Sequence, residues 1–251
     1  MLTLAEKNKI ILEGENLTVS YGPVEAIKAV SFYVGQNEIV AMVGPNGAGK
    51  STTLKAITGL LDQTGGRLTD GEILLNGESI KNLRTDELVQ KGVAFVPEGR
   101  RIFYTMTVLE NLELGAYITK DDNRVIISER IKELLELFPA LKDKQRQKAG
   151  TLSTGEQQLL AIARALIIKP KLLLLDEPSL GLSPNYIEIV FDSLVEINKG
   201  GVSILLVEQN AYLALEICSR GYVFELGSIS IQGKKEKLLE NQIIKNIYLG
   251  G

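Results

Sequence analysis

Apolar and polar positions along the chain form short runs that alternate between strand and helix periodicity. Residues 11–20 alternate loosely through Ile11, Leu12, Leu17 and Val19 and read as a strand, with a turn at Glu13-Gly14-Glu15-Asn16. Tyr21-Gly22-Pro23 is a turn, and residues 26–34 form a second strand ending in Val30, Phe32 and Val34. Ile39–Val43, residues 93–96 and Ser203–Val207 are apolar runs that read as buried strands. The run Leu172-Leu173-Leu174-Leu175 has no polar break, as expected of a central parallel strand covered on both faces. Asp62–Asp70 reads as a polar connection and Glu72–Asn76 as a strand closed by Gly77, while Tyr222–Leu226 and Ser228–Ile231 read as a hairpin about Gly227.

Helical periodicity fills the intervals. Leu54, Ile57 and Leu61 share one face after the first apolar run, and further helices are expected over 107–118, 124–138, 153–168, 184–198, 210–219 and 234–248. In the 124–138 segment Val125, Ile126, Ile131, Leu134, Leu135 and Leu137 form an apolar side opposite Lys132, Glu133 and Glu136. The pattern is that of an α/β domain carrying a helical insertion in its middle.

Between the first buried strand and its helix lies Gly44-Pro45-Asn46-Gly47-Ala48-Gly49-Lys50-Ser51-Thr52, which fits G-x-x-x-x-G-K-[ST] in the required strand–loop–helix setting. Glycines there admit positive φ and close backbone approach. Successive N–H groups at a helix start then cradle phosphate oxygens. Lys50 can reach the β- and γ-phosphates, and the Ser51 hydroxyl can ligate Mg²⁺. Kinases, GTPases and ATPases share this loop, so it leaves the reaction open.

Composition narrows the classes. The 251 residues suffice for one sizeable core. A net charge of −3 gives no basic footprint for nucleic acid. One cysteine, Cys218, excludes an internal disulfide and fits a reducing compartment; it reads as a buried structural thiol in a helix. The absence of histidine removes His acid–base chemistry and His metal ligands. Residues 1–9 lack the features of a signal peptide, and no apolar run approaches a membrane span, so a soluble chain is expected, held at any membrane by another subunit.

Two more constellations carry chemistry. Asp176 and Glu177 end the Leu172–Leu175 strand, and ligands of open α/β sheets bind at such carboxyl ends. Asp176 is placed to hold Mg²⁺ and Glu177 to polarise a water for in-line attack. Ser153-x-x-Glu156 forms a capping box at a helix start, which is also an anion site, with Gly155 beside it.

Leu152–Gln158 resembles the L-S-G-G-Q signature of ATP-binding cassette ATPases. With the P-loop and Leu172–Glu177, the whole chain resembles the nucleotide-binding subunit of an ABC transporter. A closer resemblance is to one of the two ATPase subunits of branched-chain amino acid importers. It is carried by Val96–Phe103, Thr107–Leu112, Asp176–Leu182, Val207–Asn210 and Tyr248–Gly251. The resemblance implies a single ABC ATP-binding domain over 9–248. Its P-loop NTPase core is RecA-like, about 9–97 and 158–248, with an N-terminal antiparallel β part; a helical subdomain spans about 98–157. It implies two ATP molecules, with Mg²⁺, sandwiched in a head-to-tail dimer with a second ATPase subunit or with itself. Integral membrane permeases, and indirectly a solute-binding protein, are the implied partners, and the cytoplasmic face of the cell membrane the implied location. By the same resemblance Tyr21 stacks on adenine, Glu98 joins Ser51 and Asp176 at the metal, Glu177, Gln209 and Lys50 serve hydrolysis, and Ser153, Gly155 and Glu156 face the partner's nucleotide.

This sequence departs from the general family pattern at four positions. Glu98 stands where most members carry glutamine, Gln209 replaces the switch histidine, Ser183 replaces the D-loop aspartate, and Thr154 replaces the first signature glycine. Gln209 hydrogen-bonds but cannot become cationic, which suggests pairing with a more standard ATPase. The competing expectations are an importer of urea, amides or other small solutes, a lipid exporter, and a non-transport cassette acting on DNA or ribosomes. DNA-repair members carry long coiled coils and translation-factor members two cassettes; this chain has neither.

Overall fold

The computed structural model describes residues 9–117, 124–241 and 244. The expected helix beyond 241, apart from residue 244, and the Tyr248–Gly251 motif lie outside them.

β1 (Ile10–Tyr21), β2 (Val24–Gly35), β4 (Gly66–Leu75) and β5 (Glu78–Ser79) form an antiparallel sheet in the order β2-β1-β4-β5. β3 (Ile39–Val43), β6 (Val93–Val96), β7 (Leu172–Asp176), β8 (Ser203–Glu208), β9 (Arg220–Glu225) and β10 (Ser228–Lys234) form the second sheet, in the order β10-β9-β3-β8-β7-β6. Its strands pair in parallel except for β10, which returns antiparallel along β9.

Every residue of β3, β7 and β8 is buried. The period of two explains why their apolar runs are unbroken. Leu172 and Leu174 point into a core shared with the antiparallel sheet (Leu12, Val19, Ile27) and with α1 (Lys50–Ile57). Leu173 and Leu175 point the other way, into a core built on α6 (Thr154–Leu166), α7 (Pro184–Lys199) and α8 (Ala211–Ile217). α3 (Val108–Gly115), α4 (Arg124–Leu137) and α5 (Pro139–Lys142) lie in sequence between β6 and α6 and add Leu112, Ile131 and Leu141 to that second core.

Four features differ from the sequence reading. β1 runs straight through Glu13–Asn16: the turn residues form a bulge, with a register shift between Gly14 and Leu17, Asn16 at φ 48°, and the Asn16 N–H bonded to Ser31 Oγ. β4 begins at Gly66 rather than Glu72, because pairing with β1 from Gly66↔Tyr21 onward outweighs the polar composition. α2 (Thr85–Gln90) and α5 are too short to leave a periodic signal. α8 stops at Ile217, so Cys218 caps it; the thiol is buried, and burial pushes its pKa up to about 12, leaving it inert.

One cluster ties the two sheets together. Arg220 on β9 donates from Nε and Nη2 to the two carboxylate oxygens of Glu38, both at 2.9 Å, and from Nη2 to the Tyr33 carbonyl at 2.8 Å. Its guanidinium lies 3.3 Å from the centre of the Tyr33 ring. Arg220→Ala should lower stability by about 3 kcal/mol, because Glu38 is left half-buried without its cation. The midpoint of chemical denaturation reads this, and Arg220→Lys, lacking the planar fork, should recover only part of it.

Candidate functional site

β3 delivers the P-loop to the carboxyl end of the parallel sheet, and β9 and β10 buttress it. Gly44 has φ 154° and packs so closely on the Phe224 carbonyl that a Cβ would run into it. Gly49, at φ 107°, is the left-handed residue that opens α1, and it abuts the Ala26 carbonyl of β2. The Gly227 N–H holds the Ala48 carbonyl at 3.1 Å. Pro45, Asn46 and Gly47 are exposed at the crest, while Ala48, Gly49 and Lys50 are buried beneath it. The Lys50 ammonium donates to the Gly44 and Pro45 carbonyls at 2.7 and 3.0 Å and lies 3.5 Å from Glu177 Oε1. Ser51 and Thr52 follow in the first turn, half-buried.

The two acidic residues at the end of β7 meet this loop. Ser51 Oγ donates to Asp176 Oδ1 at 2.9 Å. Residues 125 positions apart are thereby joined through a parallel register that pairs β7 with β8 and β8 with β3. Glu177 sits at φ 46°, its N–H bonded to the Val207 carbonyl, which turns its side chain toward Lys50. The Asp176 carboxyl is held up at about 6, chiefly by burial and in smaller part by Glu177 and Glu98, against the opposing Ser51 bond and Lys50. Glu98, exposed after β6, lines the same cleft of about 1030 Å³ as Ser51 and Asp176.

A buried carboxylate bonded to a hydroxyl and facing further acids suits a hard divalent cation that completes its shell with phosphate and water oxygens. No three His, Cys, Asp or Glu side chains among the described residues form a metal cage of their own.

Tyr21 ends β1 at the hairpin tip. Its ring lies against Gly66 and its hydroxyl is 3.4 Å from Thr64 Oγ1. Gln209 follows β8 and is exposed.

Sequence reasoning gave no role to Glu208. It is buried at the end of β8, where it accepts the Ser179 N–H and hydroxyl, both at 2.9 Å, and so clasps the loop after Glu177. Burial pushes its carboxyl up to about 7. Its signal was the one that marks Asp176, an acid ending an apolar run.

The signature lies apart from these residues: no hydrogen bond or ion pair among the described residues joins 153–156 to the P-loop. Ser153 caps α6, its Oγ accepting the Glu156 N–H and its N–H bonded to Glu156 Oε2. Glu156 also pairs with Lys144 and accepts the Tyr186 hydroxyl at 3.1 Å, so its carboxylate is fully engaged within the chain. Gly155 packs flat on the Tyr186 ring, leaving no room for a Cβ.

The sequence profile of the ABC transporter family matches residues 27–180. This chain belongs to that family.

Among its relatives in the ABC transporter family, the chain is 44% identical to the high-affinity branched-chain amino acid transport ATP-binding protein BraG of Pseudomonas aeruginosa, across 96% of this chain and 100% of BraG. It is 37% identical to the probable branched-chain amino acid transport ATP-binding protein LivF of Archaeoglobus fulgidus, across 96% and 99%. Its fold matches an ATP-binding cassette of an ABC transporter solved in the ADP conformation, with TM-score 0.83 and 28% identity over 96% of this chain and 99% of the other. A dimeric bacterial ABC transporter cassette matches with TM-score 0.78 and 26% identity, over 89% and 98%. The chain is thus an ATP-binding cassette ATPase with the α/β P-loop fold.

The raised Asp176 pKa fixes a sign. The folded state binds this proton more tightly than the unfolded chain, so the associated stability is present below about pH 4 and lost as pH rises through about 6. Asp176→Asn should stabilise the nucleotide-free protein by about 2 kcal/mol at pH 7.5 and leave it unchanged at about pH 4. Thermal denaturation at both pH values measures the difference.

Proposed function

We propose that this chain is the ATP-hydrolysing subunit of an importer for branched-chain amino acids, working at the cytoplasmic face of the cell membrane. The observation that carries the catalytic part is the joining of the P-loop to the end of β7 through Ser51–Asp176 and Lys50–Glu177. The substrate class rests on kinship with BraG and LivF, two transport proteins named for branched-chain amino acids.

In this reading the N–H groups of Gly44–Thr52 and the Lys50 ammonium bind the ATP phosphates, and Tyr21 stacks on the adenine. Ser51 and Asp176 hold Mg²⁺, with Glu98 opposite across the cleft. The bound cation supplies charge neutralisation and polarises phosphate oxygens. Glu177, steered by the Val207 carbonyl, accepts a proton from the attacking water, and Gln209 hydrogen-bonds that water or the γ-phosphate. Lys50 must exchange its carbonyl partners for phosphate oxygens, and Glu177 is then released to meet water.

Ser153 and Gly155 serve the nucleotide of a second subunit, in a head-to-tail dimer. Glu156 supports them from within, since Lys144, Tyr186 and Ser153 already occupy its oxygens. The single ABC domain, 9–248, has its helical subdomain at about 98–157, and integral membrane permeases, supplied by a solute-binding protein, dock beside that subdomain. With glutamine at the switch position, the preferred second subunit is a different ATPase.

Glu177→Gln should keep ATP affinity within about threefold while phosphate release falls by roughly 100-fold or more, as loss of a general base entails. Nucleotide binding and single-turnover hydrolysis, measured on the assembled transporter, check this. Near-normal turnover would remove Glu177 from the role.

A further inference from the structure

Glu208 closes β8 directly after the apolar run Ile204–Val207 and is only 1% exposed. Among the described residues no Lys or Arg pairs with it. A carboxylate buried without a cation is costly, and hydrogen bonds must compensate it. An apolar side chain would serve the sheet at this position as well as its four predecessors do.

The hydrogen bonds that Glu208 accepts come from two different loops. Oε1 takes the Ser179 N–H and Oε2 the Ser179 hydroxyl, both at 2.9 Å. The Asn210 N–H reaches the same carboxylate. Ser179 lies two residues after Glu177, and Asn210 one residue after Gln209. A single buried side chain thus holds both the loop of the proposed base and the turn of the residue proposed to hold the water.

Both segments need such an anchor. Glu177 has φ 46°, a conformation that a non-glycine residue keeps only where its surroundings enforce it. The Leu180 N–H closes a turn onto the Glu177 carbonyl at 3.1 Å, and Ser179 is the third residue of that turn. On the other side Asn210 caps α8, its side chain accepting the Leu213 N–H at 3.3 Å. Gln209, itself exposed, is therefore held between a buried strand end and a capped helix.

We propose that Glu208 is a positioning residue for hydrolysis, setting the spacing between Glu177 and Gln209 so that both reach one water at the γ-phosphate. This rests on the reading of Glu177 as the base and adds to it the side chain that fixes the two groups relative to each other. The requirement is reach rather than charge. Glutamine at this position accepts the Ser179 N–H at its carbonyl and donates from its amide to the Ser179 hydroxyl, so it keeps both contacts without a charge. Aspartate keeps the charge but ends one methylene short of them. An acid needed for its charge alone would rank these two variants in the opposite order.

The test measures single-turnover hydrolysis by the full chain in excess over Mg²⁺–ATP, and separately the dissociation constant of Mg²⁺–ATP. Glu208→Ala should slow hydrolysis by about 30-fold or more and Glu208→Asp by about 10-fold, as displacement of a positioned group entails. Glu208→Gln should stay within about threefold of the parent, and all three should bind Mg²⁺–ATP within about threefold, which also shows that they are folded. In the Glu177→Gln background Glu208→Ala should remove no more than about a further twofold, since residues acting as a unit are not additive. Slow hydrolysis by Glu177→Gln beside near-normal hydrolysis by Glu208→Ala and Glu208→Asp would overturn the positioning role alone. So would Glu208→Asp outperforming Glu208→Gln, losses that multiply in the Glu177→Gln background, or affinity falling in step with rate. Near-normal hydrolysis by Glu177→Gln would overturn the reading of the base, and this inference with it.

Discussion

Lys50 faces more negative charge than it can balance. Its ammonium rests on the Gly44 and Pro45 carbonyls and 3.5 Å from Glu177, while Asp176, Glu98 and Glu208 crowd the carboxyl ends of the same strands. Burial strips water from Asp176 and Glu208, while Glu98 stays exposed. Asp176 and Glu208 respond by holding their protons up to about 6 and 7. Such a site is unfavourable empty and favourable with a cation and a polyphosphate that distributes its charge over the P-loop N–H groups. The fold tolerates the cost because β3, β7 and β8 are covered on both faces and hold the loop rigidly.

Positioning follows from that sheet. The parallel register pairs Val43 with Glu208 and Asp176 with Val207, one residue earlier, so the chain after each strand emerges at one edge. Glu208 clasps Ser179, the Val207 carbonyl holds the Glu177 N–H, and Arg100 holds Leu180. The loop bearing the proposed base is thus tied to its neighbouring strand and to the chain that follows β6. The signature has its own support in Lys144, Glu156 and Tyr186, which keeps α6 capped. In the proposed dimer each chain offers two unlike halves of a site.

Much of this was legible in the residues. The P-loop, the Leu172–Glu177 run and the capping box each combine a local pattern with a specific chemistry, and each lies on the expected element. The β1 bulge and the early start of β4 were not legible, since both depend on cross-strand pairing that polar composition conceals. Glu208 was hidden for a related reason: its meaning lies in the Ser179 groups that long-range packing places around it.

The charge imbalance itself can be observed at one atom. Asp176 labelled with ¹³C at its carboxyl carbon, followed by NMR through a pH titration, should show a midpoint near 6 in the nucleotide-free protein. Saturation with a Mg²⁺–nucleotide should displace it below about 4, as a paired carboxylate requires. A midpoint already below about 4 in the free protein, or one that stays near 6 when the Mg²⁺–nucleotide binds, would contradict the view that ligand binding completes this site electrostatically.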